Sequence, residues 1–311
     1  MTRSSTHGLL ARLSVLLLCS CSTDTADGTR LGGSQVCEPP VALAVLPDVL
    51  REASGIAHDP RRTDLVWIHN DSGNDFSLYA FDIAGRQVAV VPVVGATDRD
   101  IEDMAIGPCP TGSCLYVGDI GDNLGVRRSI SVHRVPLPDL SDPSPVTPEA
   151  SWQLAYEDGA RDAESLAVDA VRSELVVISK GRTGEVVLYA ASIPALRETG
   201  SPNLLSRVGR LALPLGSNSR QLITAADISP DGSRLALRSY TTVYEFEWSG
   251  AAAFDTTVVP KWSSVMSARE PQGEGLAWDG SGQTLYLVGE QYGGTPPLIS
   301  RVDCPSEEQR E

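Results

Sequence analysis

One short phrase recurs along the chain: an acidic residue, a small or polar one, an aliphatic one, then Ala or Ser. Its clearest copy is Asp100-Ile101-Glu102-Asp103-Met104-Ala105. It returns as Asp162-Ala163-Glu164-Ser165-Leu166-Ala167 and as Gln272-Gly273-Glu274-Gly275-Leu276-Ala277. Weaker copies are Glu52-Ala53-Ser54-Gly55-Ile56-Ala57 and Ala225-Ala226-Asp227-Ile228-Ser229. The closing positions fall at 57, 105, 167, 229 and 277, in steps of 48, 62, 62 and 48 residues. A repeat of about 40–50 residues with several short strands per unit is the mark of a β-propeller, an all-β ring of small antiparallel sheets.

Each phrase is followed by apolar runs separated by turn residues, as strands require. Unit one reads Gly55–His58, Leu65–His69, Ser77–Phe81 and Gln87–Val94. Unit two reads Met104–Ile106, Cys114–Gly118, Ile130–Val135 and Ser151–Tyr156. Unit three reads Leu166–Asp169, Glu174–Ser179, Val186–Ala190 and Val208–Leu213. Unit four reads Ala226–Ser229, Arg234–Arg238, Val243–Trp248 and Thr256–Val259. Unit five has Leu276–Asp279, Thr284–Val288 and Leu298–Val302, and then lacks a fourth strand. The orphan run Val41–Leu46 can supply it, which would close the ring and cover an open sheet edge. The leading architecture is five blades. Six is the alternative, if a 62-residue step hides a degenerate blade, although the polar insertions Pro136–Pro148 and Leu196–Asn203 also account for the length. Ser229-Pro230-Asp231-Gly232 and Asp279-Gly280-Ser281-Gly282 are tight-turn sequences with a residue free to take positive φ.

The domain boundaries follow. Residues 1–20 combine basic Arg3 and Arg12 with the apolar run Leu13–Leu18, too short to span a bilayer, and read as a signal peptide. Residues 21–36 are mostly Thr, Ser, Asp and Gly and read as a flexible tether. Residues 37–304 form one propeller domain, and 305–311 a tail. Leu18-Cys19-Ser20-Cys21 resembles the lipobox of bacterial lipoproteins, which implies lipidation (palmitate) of Cys21, with cleavage before Cys19 as a minor alternative. Ser22 after it implies the outer membrane or cell surface rather than the inner membrane. An ordinary secretory signal with a free Cys21 is the plainer reading. Four cysteines remain, and the expected disulfides are Cys109–Cys114, across a tight loop, and Cys37–Cys304, stapling the ends of the ring. A zinc site is the rival; the cysteines lack close-paired ligand spacing and no His lies near them.

The formal charge is −15, and −17 without Arg3 and Arg12 (23 basic against 40 acidic residues). That excludes a phosphate-neutralising surface for nucleic acid or an anionic membrane face. It suits cations or cationic ligands, or simply keeps an exported monomer soluble.

In a propeller the first strand of each blade lines the axis, so residues just ahead of it meet the loops between strands two and three on one face. Glu102, Asp103, Glu164 and Glu274, with Asp227 offset, should ring that mouth. The loops Asn70–Asp75 and Gly118–Asn123, with Lys180, Arg182, Arg238, Tyr240, Glu290 and Gln291, should surround it. Facing carboxylates call for a cation, a basic partner or raised pKa values. Hard oxygen donors favour Ca²⁺ or Mg²⁺. The expected metal ligands are Glu102, Asp119, Glu164 and Asp71. The expected catalytic groups are Glu102 and Glu274, with Lys180 and Arg238 stabilising charge. The bland readings are Asx turns for Asp71, Asp75, Asp122 and Asn123, strand caps for the marker Glu residues, structural roles for His58, His69 and His133, and blade-to-blade packing for the five tryptophans.

The recurring Glu-Gly-Leu or Glu-Asp-Met phrase and the Asn70-Asp71-Ser72-Gly73 loop resemble secreted bacterial propellers of the phytase-like and SdiA-regulated families. They resemble more distantly the gluconolactonase, strictosidine-synthase and paraoxonase group. The resemblance spans most of residues 52–303. It implies Ca²⁺ at the channel mouth, sometimes serving ester or phosphoester hydrolysis, with Glu102, Glu164 and Glu274 at the acidic positions. Those families usually have six blades. Two functions stay open: an envelope-anchored module binding a small ligand or envelope protein, or a metal-assisted hydrolase of an ester, lactone or phosphoester.

Overall fold

Twenty strands among the described residues pair mainly into antiparallel meanders, the first strand of each carrying its marker phrase. The computed structural model describes residues 37–71, 73, 75–213, 222–268, 270 and 272–305, besides Met1. The signal peptide, the tether with Cys21, Ser72, Asn74 and most of the tail lie outside them. An edge strand β1 (Val41–Val45) comes first. Unit one is β2 (Ala53–His58), β3 (Leu65–Asn70), β4 (Ser77–Asp82) and β5 (Gln87–Pro92). Unit two is β6 (Ile101–Pro108), β7 (Ser113–Asp119), β8 (Ile130–Pro136) and β9 (Ala150–Tyr156). Unit three is β10 (Ala163–Asp169), β11 (Glu174–Ser179), β12 (Val187–Ser192) and β13 (Asn203–Arg210). Unit four is β14 (Ile223–Ile228), β15 (Arg234–Ser239), β16 (Thr242–Glu247) and β17 (Lys261–Ser264). Unit five is β18 (Gln272–Trp278), β19 (Thr284–Glu290) and β20 (Leu298–Asp303).

The first strands are almost wholly buried and lie side by side in ring order: β2 on β6, β6 on β10, β10 on β14, β14 on β18, and β18 back on β2. That is a propeller. Its core is a set of apolar clusters shared by neighbouring units, such as Ala167, Val176 and Ile178 with Ala226, Leu235 and Tyr244. β1 pairs antiparallel with β20 and completes unit five, as the orphan run requires. Cys37 and Cys304 are bonded beside it, with Cα atoms 4.2 Å apart, and Cys109 and Cys114 are bonded across their loop. The pairing removes zinc as a partner for these thiols.

The turns are as their sequences demand: Gly232 and Gly282 both take φ of +66°. Two strands differ from expectation. β13 begins at Asn203, and its start pairs in parallel with β9 through Asn203–Leu205, joining units two and three into one eight-stranded sheet. The fourth strand of unit four is Lys261–Ser264, not Thr256–Val259. Asp255 accepts bonds from the Thr257 N–H and Oγ1 and folds that stretch into a turn. Trp67, Trp248, His58 and His133 take partners within the fold. Trp67 Nε1 donates to Asp59, and Trp248 of unit four donates to Asp169 of unit three. His58 stacks on Tyr286, and His133 sits between Thr97 Oγ1 and Ser151 Oγ. Among the described residues no helix is long and apolar enough to cross a membrane.

Candidate functional site: the acidic mouth

Every inner strand slips register against its partner at the marker phrase. The shifts lie between Ile101 and Asp103, Ala163 and Ser165, Gly273 and Gly275, Ile223 and Ala225, and Ala53 and Ile56. The residues left out of the ladder are Glu102, Glu164, Glu274, Thr224, and Ser54 with Gly55. A β-bulge of this kind frees one residue from pairing and re-aims its side chain. The marker acids therefore stand inside the strands, not just ahead of them. The fourth copy is corrected too: Thr224, not Asp227, holds the bulge position. Thr224 Oγ1 and Ser54 Oγ donate to main-chain carbonyls of the next bulge, at Gly273 and Glu274 and at Glu102 respectively.

Around Glu102 the mouth gathers oxygen donors. Carboxylate oxygens of Asp71, Asp100 and Glu102 all lie within 4.8 Å of one another. Asp71 follows β3, and Asp100 and Glu102 open β6, so two units supply the group. Gly121 makes room for it: a Cβ there would meet Glu102 Oε1 and Asp100 Oδ2. Burial pushes the Glu102 carboxyl well above the ordinary range, and the charges of Asp71 and Asp100 push the same way. An all-carboxylate donor set packed against the bare backbone of a glycine fits a hard divalent cation, Ca²⁺ or Mg²⁺.

Deeper in, Lys180 pairs with Glu164, and both are buried. Burial lowers the Lys180 pKa, opposed by the charges of Glu274 and Glu102. Its ammonium lies 6.0 Å from the centre of the Tyr240 ring. Gln272 Nε2 bridges two more acids, donating to Glu274 Oε1 at 2.7 Å and Glu290 Oε2 at 2.8 Å. Burial and the charge of Glu290 raise Glu274 to about 8, and burial with the charges of Asp71 and Glu52 raises Glu290 to about 7.

The structure thus brings together Glu102, Glu164, Glu274, Lys180 and Asp71, with Glu290 and Tyr240 beside them, and gives several other expected residues partners within the fold. Asp119 is spent on the fold: Arg127 NH1 lies 2.8 Å from Oδ1, and the Arg99 and Asp100 N–H groups donate to it. Arg238 is fully buried between units four and five, paired with Glu270 and donating to the Gly275 and Val288 carbonyls. Asp103 accepts the N–H groups of Met104, Leu166 and Ala226, and Asp227 those of Ile228 and Trp278, so both tie inner strands together. Arg182 bonds Asp162 and Asn123 at the rim. Asp122 accepts the Arg127 N–H, a turn role. Asp100 and Gln272 were absent from the expected site. Both belong to marker phrases, two residues ahead of the bulged Glu, and that shared offset was the signal. A separate cleft of about 670 Å³ on unit four is lined by Phe246, Trp248 and Phe254 together with Arg234, Glu245 and Lys261.

No family model matches the chain, and no curated protein matches it. Among solved structures, a gluconolactonase from Xanthomonas campestris aligns at a TM-score of 0.46 and 15% identity, over 88% of this chain and 97% of its own.

Proposed function

We propose that this is an exported, lipid-anchored propeller whose acidic mouth binds a divalent cation and, through that face, a ligand or envelope partner. The observation that carries it is the convergence of Asp71, Asp100 and Glu102 beside Gly121. Export is supported by the two disulfides, which suit an oxidising compartment, and by the signal sequence ending at Cys21. The outer membrane or cell surface is the proposed address, and the protein a monomer without nucleic-acid partners. Ca²⁺ is the proposed ion. The test is the melting temperature in chelator and then across a Ca²⁺ titration. A ligand at about 100 times its dissociation constant stabilises the folded state by about 2.7 kcal/mol. A saturable rise is expected in the parent and not in Glu102→Gln; a flat response in the parent removes the cation.

A second reading, metal-assisted hydrolysis of an ester, lactone or phosphoester, is favoured by one observation. Lys180, paired with Glu164, stands near Glu102 and Glu274, a cation beside candidate ligands where negative charge would develop. A bound divalent ion would polarise the scissile oxygen and acidify a water. Lys180 would stabilise the oxyanion, and Glu274, held partly protonated near neutrality, would exchange a proton with the leaving group. Arg238, buried and paired with Glu270, lies close enough to Glu274 for its charge to lower that carboxyl's pKa against the effect of burial. Screening hydrolase substrates against the parent and Lys180→Met tests it: turnover lost in the variant supports catalysis, and turnover that ignores Lys180 removes it from the mechanism.

A further inference from the structure

The two disulfides are not alike. Cys37 and Cys304 are both buried, and their bond spans 267 residues. Cys109 and Cys114 lie 5 residues apart at the tip of the β6–β7 hairpin, on the face away from the mouth. Closing a short loop removes far less freedom from the unfolded chain than closing a long one. The hairpin is also held without its sulfurs. The β6–β7 ladder runs up to them, pairing Gly107 with Cys114 and Pro108 with Ser113, and Tyr116 Oη donates to the Pro108 carbonyl at 2.7 Å. The Cys109 N–H donates to the Gly112 carbonyl across the tip. The fold therefore loses little if this bond opens.

The bond is within reach of a partner. Pro110, Thr111 and Gly112 are exposed, and a Cβ on Gly112, at a φ of +76°, would meet nothing within 4 Å. Cys109 is half-buried and Cys114 fully buried, so a nucleophile can approach the first sulfur and not the second. A carboxylate stands over both: Glu149 Oε2 lies 3.6 Å from Cys109 Sγ and 3.9 Å from Cys114 Sγ. Glu149 is held there by Arg134, whose carbonyl accepts its N–H at 2.8 Å and whose guanidinium lies 3.8 Å from Oε2. In thiol–disulfide exchange the attacking and the departing sulfur are both thiolates. A neighbouring carboxylate repels each of them and slows the exchange without blocking it.

We propose that Cys109–Cys114 is a thiol–disulfide exchange site for a protein dithiol, separate from the mouth, with Cys109 the sulfur attacked and Glu149 setting the rate. A thiolate of the dithiol bonds to Cys109 Sγ as the Cys109–Cys114 bond breaks, and Cys114 leaves as a thiolate that takes a proton from water. The dithiol's second thiolate then attacks its partner sulfur in the mixed disulfide, and Cys109 departs and is protonated in turn. The dithiol is oxidised to its disulfide, and its two electrons end on Cys109 and Cys114. The test offers the oxidised protein an excess of a Cys-x-x-Ser variant of thioredoxin, which can form the mixed disulfide and cannot resolve it, with quenching in N-ethylmaleimide. Peptide mass mapping should place the adduct on Cys109, with Cys114 alkylated and Cys37–Cys304 intact. In dithiothreitol alone, Cys109–Cys114 should open at lower concentration than Cys37–Cys304, with cooperative melting kept. Glu149→Gln, at an exposed side chain, should speed that opening about fivefold at low salt, the effect of one charge at about 4 Å in water. No adduct, an adduct on Cys114, opening of Cys37–Cys304 first, loss of the melting transition when Cys109–Cys114 opens, or an unchanged rate in Glu149→Gln overturns it.

Discussion

Glu274 and Glu290 share one amide donor, Gln272; burial and the charge of Glu290 raise Glu274 to about 8, and burial with the charges of Asp71 and Glu52 raises Glu290 to about 7. Asp227, buried despite two N–H bonds, is raised to about 7. A carboxyl raised in this way keeps its proton in the folded chain while the unfolded chain has already released it. The folded state therefore binds more protons between about pH 4.5 and 8, and stability falls as pH rises through that window. The cation-free protein is expected to melt lower at pH 8 than at pH 5.5, and Glu274→Gln with Glu290→Gln should flatten that slope. Melting curves across pH in chelator measure it, and an unchanged slope in the double variant would show the pair ionised throughout. The same logic gives Ca²⁺ tighter binding at higher pH, since Glu102 must shed its proton to serve as a ligand.

The marker phrase encodes a β-bulge as well as a strand start, and at this scale the sequence was partly legible. The recurring acid was visible because it recurs. Its position inside the strand was not, because a register slip leaves alternation of apolar residues nearly untouched. Thr224 shows the difficulty: it carries no charge, so the eye passes to Asp227 three residues on. Arg238 and Asp119 looked like site residues because a loop position near the axis does not reveal which neighbour claims the side chain. Arg238 was claimed by Glu270 from the turn ahead of β18, and Asp119 by Arg127 of the loop it opens. The bulges are also joints between units. Thr224→Val removes the donor to the Gly273 and Glu274 carbonyls, and stability should fall by about 1–2 kcal/mol, read from urea midpoints. A neutral result would mean that bulge packing, not the hydroxyl, holds units four and five together.

The whole ring was the most legible level, since period, turn residues and the orphan strand all point to one topology. Closure rests on β1 and on the Cys37–Cys304 bond, which spans 267 residues. Replacing both cysteines with Ser should cost about 2–5 kcal/mol and expose residues 37–46 to protease before the rest; simultaneous cleavage everywhere would show that β1 holds without the bond. The closure also fixes a direction. β20 runs away from the mouth, and β1 is antiparallel to it, so the ring begins and ends at Cys37 and Cys304 on the far face. Mechanically, a pull on the backbone ahead of Cys37 passes through the disulfide into the end of β20 and largely spares the hydrogen bonds of β1. Load from that side therefore enters the ring on the face opposite the mouth, through β20 rather than by peeling β1 from its edge.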